Sequence, residues 1–80
     1  MSETAFSRLL AFLANLRSRT IQFKIEQQRD DAIMVSFAVV GMRLEVEFFE
    51  DHLEFSTFGG DESVESDENL LWRMVDERWD

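Results

Sequence analysis

Apolar residues recur near the start of the chain at steps of three and four: Phe6, Leu9, Leu10, Leu13 and Leu16, with Phe12 at the edge of the stripe. That is the period of an amphipathic helix, predicted over about residues 3–19. Ser2 or Thr4 can cap its first amides, Glu3 suits the positive end of the helix dipole, and Arg17 and Arg19 suit the negative end. From Ile21 the period drops to two. Ile21, Phe23 and Ile25 alternate with Gln22, Lys24 and Glu26, which predicts a strand over about 21–28 with one wet face. Arg29-Asp30-Asp31 reads as a polar turn. Ile33, Val35, Phe37 and Val39 then alternate with Met34, Ser36 and Ala38 over about 32–39, and Leu44, Val46 and Phe48 alternate with Arg43, Glu45, Glu47 and Phe49 over about 42–50. A fourth strand is predicted over about 53–58 and a mobile acidic loop over about 59–66. A closing helix follows over about 67–79, with Ser66 as its N-cap and Leu70, Leu71, Met74 and Val75 as its inward stripe.

Parity fixes which strand positions share a face. If the odd residues of the second strand and the even residues of the third are buried together, Phe37 opposes Leu44, Val35 opposes Val46, and Val40-Gly41 is the turn between them. The same step places Phe48 opposite Phe55 and Val46 opposite Thr57. That leaves Asp51-His52 as a two-residue turn of the kind that needs positive φ, which Asp and His tolerate. The expected architecture is an α+β two-layer sandwich, built as one helix, a four-stranded antiparallel meander and a second helix, all in a single domain over residues 1–80. Both helices should cover the face made by Ile21, Phe23, Ile25, Ile33, Val35, Phe37, Leu44, Val46, Phe48 and Phe55. The other face carries Gln22, Lys24, Met34, Ser36, Arg43, Glu45, Glu47, Phe49, Glu54, Ser56 and Phe58.

Composition narrows the chemistry. With 80 residues, 45% of them apolar, the chain is long enough for one core and too apolar for a disordered acidic tail. The absence of cysteine from the sequence excludes a disulfide, a thiolate zinc site and a thiol nucleophile, and points to a reducing, cytoplasmic setting. Residues 1–24 hold three Arg, one Lys and a single acid, as a cleaved transit peptide would, but the apolar stripe there is needed to cover the sheet. No metal and no cofactor is expected.

Charge is distributed unevenly. The formal net charge is −9, yet residues 1–43 carry six Lys and Arg against four acids, for +2. Residues 44–80 carry thirteen acids against Arg73 and Arg78, for −11. Such a field repels nucleic-acid backbones and anionic lipid, and attracts basic protein surfaces.

Catalytic readings find little purchase. His52 is the single histidine, with nothing in the sequence to orient it as a base, and its turn position accounts for it. Glu45 with Glu47, or Glu50 with Asp51, could serve acid-base chemistry only in a concave, partly dry cleft, for which so small a sandwich has little room. The acidic run Asp61 to Glu68 lacks the alternating ligands and central glycine of a calcium loop, and Gly59-Gly60 has no Lys-Ser/Thr after it to make a phosphate cradle. Trp72 and Trp79 fall within about 20° of each other on the closing helix and form a second apolar ridge ringed by Asp76, Glu77 and Asp80. Packing against the first helix or the sheet edge is one reading of that ridge; an interface anchor is the other.

The stretch Leu44-Glu45-Val46-Glu47-Phe48-Phe49-Glu50-Asp51-His52-Leu53-Glu54-Phe55, followed by Gly60-Asp61 and a short acidic helix, resembles small uncharacterised bacterial α+β proteins with a VEFFEDG-type hairpin. It departs from them at His52, where those turns carry glycine. In size and acidity, without a shared motif, the chain is also similar to phage anti-CRISPR proteins and bacterial toxin-immunity proteins.

The functional expectation is a non-enzymatic acidic module that binds a protein partner through its basic surface, as a nucleic-acid mimic would. Glu45, Glu47, Glu50, Asp51 and Glu54 would steer, and Phe49 and Phe58 would supply apolar anchors. The alternatives are an immunity or antitoxin-like protein gripping a toxin or enzyme through Trp72 and Trp79, and a small homodimeric bacterial protein.

Overall fold

The computed structural model describes residues 4–59, 64–65 and 67–78. Helix α1 spans Ala5–Ser18 and begins where Thr4, in extended conformation, accepts the Ser7 N–H on its side-chain oxygen at 3.0 Å. It ends in two reverse bonds, Thr20 N–H to the Arg17 carbonyl and Ile21 N–H to the Leu16 carbonyl, both 3.0 Å. Thr20 has φ 58 there, a left-handed conformation that costs a β-branched residue about 1–2 kcal/mol. Leu16 and Ile21, on either side of the reversal, are both buried and hold the chain in it.

The strands are β1 (Phe23–Arg29), β2 (Ala32–Val39), β3 (Met42–Phe48), β4 (Leu53–Phe58) and β5 (Val64–Glu65), followed by α2 (Glu68–Arg78). All neighbours are antiparallel, in the order β1-β2-β3-β4-β5. The helix, four-stranded meander and helix expected from the sequence are all present. The fifth strand is an addition: where an acidic loop was expected, Val64 pairs with Ser56 and Glu65 with Phe55. Backbone pairing with an open edge needs no apolar side chain, so periodicity gave no sign of it. The cap of α2 is Asp67, whose Oδ1 accepts the Asn69 and Leu70 N–H groups at 3.0 and 3.4 Å; the expected cap, Ser66, lies outside the described residues.

The β2–β3 register is the one parity predicts, with Phe37 opposite Leu44, Val35 opposite Val46, and Gly41 in the turn at φ 75. The β3–β4 register differs by two: Phe48 faces Leu53, Val46 faces Phe55 and Leu44 faces Thr57. Phe49 N–H donates to the His52 carbonyl at 2.9 Å, so Glu50-Asp51 sit at the tip and positive φ at Asp51-His52 is not used. A shift of two leaves every side chain on its expected face, so the pattern alone could not exclude it, and this one draws Leu53 into the core at 2% exposure.

The core cluster joins Phe12, Leu13 and Leu16 of α1, Leu71 and Val75 of α2, and the inward residues of β2, β3 and β4; Thr57 is a buried polar residue on the same sheet face. Three features depart from the expected faces. α1 is turned roughly 45° about its axis, at about 100° per residue, so that Phe12 rather than Phe6 and Leu10 faces inward. Ile25, expected in the core, is 51% exposed because β1 is an edge strand that the helices do not reach across. Met34, expected on the wet face, is only 5% exposed: it lies mid-sheet between Glu26 and Glu47, whose long side chains flank it at cross-strand distance.

Candidate partner-binding surface

The sheet face turned away from the helices is ordered in rows by the strand registers. One row runs Glu26, Met34, Glu47 and Glu54 across β1 to β4, and the next runs Lys24, Ser36, Glu45 and Ser56. A third carries Ala38, Arg43 and Phe58. Four carboxylates, from Glu26, Glu45, Glu47 and Glu54, thus share this face with three cations: Lys24, Arg43 and Arg29, which pairs with Ala32 and lies over the Phe49 ring. Arg43 reaches Glu45 at 3.7 Å, a long and exposed pairing that offsets little of the charge. Glu47 and Glu54 stand directly opposite each other, an arrangement that costs the sheet a few tenths of a kcal/mol or more and that stability alone does not favour. Glu26 was missed in reading the sequence, although its parity with Lys24 places it on this face.

At the β3–β4 tip His52 sits between two carboxylates of the chain itself. Its Nδ1 lies 2.7 Å from Asp51 Oδ1 and its Nε2 3.2 Å from Glu54 Oε2, and its ring stacks on Phe49 with centroids 4.6 Å apart and planes 1° from parallel. The sequence showed no orienting partner for this histidine; the structure supplies two. Both ring nitrogens lie within hydrogen-bond reach of carboxylates, an arrangement that suits the doubly protonated ring.

These contacts move two titrations in opposite directions. The hydrogen bond from His52 holds Asp51 below its ordinary value of 3.8, and the bonds to Asp51 and then Glu54 hold His52 above its ordinary 6.5. The stability contributed through His52 is therefore full below 6.5 and lost as pH rises through its raised folded value. That contributed through Asp51 is present above 3.8 and lost as pH falls through its lowered value. The tip is expected to be most firmly held between these limits. An NMR titration should give His52 a midpoint above 6.5, moved down by Asp51→Asn and by Glu54→Gln. A midpoint at or below 6.5 in the unaltered protein would contradict the pairing.

The aromatic residues expected as anchors are not brought together. Phe49 lies at the β3–β4 tip and Phe58 at the far end of β4, about 20 Å along the strand. Each is half-buried beside a cation of the chain, Arg29 at 5.2 Å from the Phe49 ring and Arg43 at 5.1 Å from the Phe58 ring. Trp72 packs inward: its ring centroid is 4.8 Å from that of Phe12, its Nε1 donates to Glu68 Oε2 at 3.1 Å, and the Arg19 guanidinium lies 4.7 Å from its ring. Arg19 also binds Asp76 at 3.0 Å and so ties the end of α1 to α2. Trp79 lies outside the described residues. Glu50 and Asp51 are exposed at the tip, and Glu45, Glu47 and Glu54 share the open face.

A cleft of about 800 Å³ opens between the first turns of α1 and the β1–β2 and β3–β4 turns, with Phe6, Leu9, Ile33 and Phe48 on its apolar side and Asp30, Asp51 and His52 on its polar side. It is roomier than the sequence suggested. The titratable groups in its lining are Asp30, Asp31, Glu50, Asp51 and His52. Among the described residues no helix is long and apolar enough to cross a membrane. Comparisons with protein-family models, curated proteins and solved structures return no match.

Proposed function

We propose that this chain is a non-enzymatic acidic protein-binding module whose outer sheet face covers a basic surface on a partner protein, of the kind that otherwise holds nucleic acid. One observation carries the reading: Glu26, Glu47 and Glu54 form a cross-strand row, with Glu45 in the adjacent row, on one open face of the sheet. The Glu47–Glu54 apposition weakens the isolated domain and is relieved when cations of a partner lie between the two carboxylates. Carboxylates held at strand spacing steer a cationic surface into register, with Glu50 exposed beyond them at the tip. Trp72 is committed to Phe12 and α1, which removes one of the two anchors on which an immunity-like reading would rest.

The test is the double variant Glu45→Lys/Glu47→Lys. At the second of these positions the new ammonium would face Glu54 in place of a like charge, which offsets the loss of the exposed Arg43–Glu45 pair, so the variant should melt within a few degrees of the parent. Nucleic-acid-handling proteins captured by the immobilised parent at low salt, and displaced by added duplex DNA, should bind the variant at least about tenfold more weakly. Undiminished capture by the folded variant would remove this face from the function.

A further inference from the structure

We propose that the chain forms a two-fold homodimer in which β1 pairs antiparallel with β1 of a second copy about Ile25, continuing the sheet across the two molecules. β1 lies at the end of the strand order, so the backbone groups on its outer side have no strand partner among the described residues. The irregularity between Glu26 and Arg29 limits the regular run to Phe23–Glu26, which sets where a second strand can pair.

Among the described residues, most of the exposed large apolar side chains belong to β1 and the helix beside it. Four large hydrophobic residues are exposed among the described residues, and three of them, Phe6 at 66%, Leu10 at 50% and Ile25 at 51%, belong to α1 and β1. Phe6, Leu10 and Arg17 fall within about 40° of one another around α1 at about 100° per residue. The Arg17 guanidinium lies 5.6 Å from the ring of Phe23, so this stripe of α1 points toward the β1 side.

Charge selects a second copy as the occupant and fixes its register. Antiparallel strands related by a two-fold axis face each other at positions of equal parity, and the axis stands perpendicular to the sheet. With Ile25 opposite its own counterpart, Lys24 of each protomer meets Glu26 of the other, two opposite-charge pairs on the outer face. A shift by one residue centres the axis on Lys24 or on Glu26 and sets like charges against each other. The perpendicular axis keeps both helix layers on one side, where Phe6, Leu10 and Ile25 of the two copies close over the seam. Glu45, Glu47 and Glu54 remain open on the joined outer face.

Sedimentation of the full chain over a concentration series, with circular dichroism to confirm folding, tests this. The parent should show a monomer–dimer equilibrium. Ile25→Lys and Lys24→Glu, both at exposed positions, should raise the dissociation constant at least about tenfold. The exchange Lys24→Glu/Glu26→Lys restores both charge pairs and should restore the dimer. A parent that is monomeric at millimolar concentration, or a dimer indifferent to Ile25→Lys, overturns the proposal; so does a charge-exchanged variant that stays monomeric like Lys24→Glu.

Discussion

Phe12→Ala is expected to destabilise the domain by about 3–5 kcal/mol, the cost of removing a buried aromatic ring together with the cavity left behind. Phe12 is 1% exposed and is the point where α1 meets both the sheet and α2. Its ring lies 6.1 Å from that of Phe37 on β2, 5.1 Å from Phe48 on β3 in an edge-on arrangement, and 4.8 Å from Trp72 on α2. A domain of 80 residues has a net stability of only about 4–12 kcal/mol, so the loss takes a quarter or more of it. Urea unfolding followed by tryptophan fluorescence measures the effect directly, since Trp72 leaves its contact with the core as the domain opens. Phe6→Ala is the matched control: at 66% exposure it should cost no more than about 0.5 kcal/mol at concentrations where the chain is monomeric. Equal losses at the two positions would mean that α1 faces the sheet with the stripe on which Phe6 lies.

Gly59→Ala is expected to cost about 3 kcal/mol through the backbone rather than the core. Gly59 has φ +107, outside the range that L side chains adopt without strain. A Cβ there would sit 2.8 Å from the Gly41 carbonyl oxygen and 3.4 Å from Met42 Cα, so the end of β4 would have to part from the β2–β3 turn. At roughly 4–8 °C per kcal/mol for a domain of this size, the midpoint of thermal unfolding should fall by more than about 10 °C. Val40→Ala, in the same turn but 69% exposed, should leave it within a few degrees. A Gly59→Ala protein that melts with the parent would show that this approach of backbones does not hold in solution.

Periodicity was decisive where a single pattern was opposed by nothing else. Strands β2 and β3, with Val40-Gly41 between them, follow from parity and a glycine, and the structure has that register. The open face could be read in the same way, and parity alone brought Glu45, Glu47 and Glu54 together on it. Where two placements satisfy the same pattern, periodicity had no purchase. The β3–β4 pairing could slip by two without moving a side chain to the wrong face, and the burial of Leu53 decides between the alternatives. On α1, Phe6, Leu10, Phe12 and Leu13 are all apolar, and a stripe that wide can be turned by half a residue and still read as amphipathic. Contact with Phe37, Phe48 and Trp72 chose Phe12.

Local order along the chain determined the element types, their sequence and the division of the sheet into an apolar and an acidic face, because a period of two or three to four is a property of neighbours. The tertiary structure alone decided which apolar residues were left over and which charged ones became neighbours. Ile25, Phe6 and Leu10 are exposed because two short helices cannot cover a sheet to both edges, and Met34 is buried because β2 lies between two strands carrying long side chains. The two carboxylate partners of His52 are close neighbours in sequence, yet the turn geometry that directs both ring nitrogens at them arises only once Leu53 has been drawn inward.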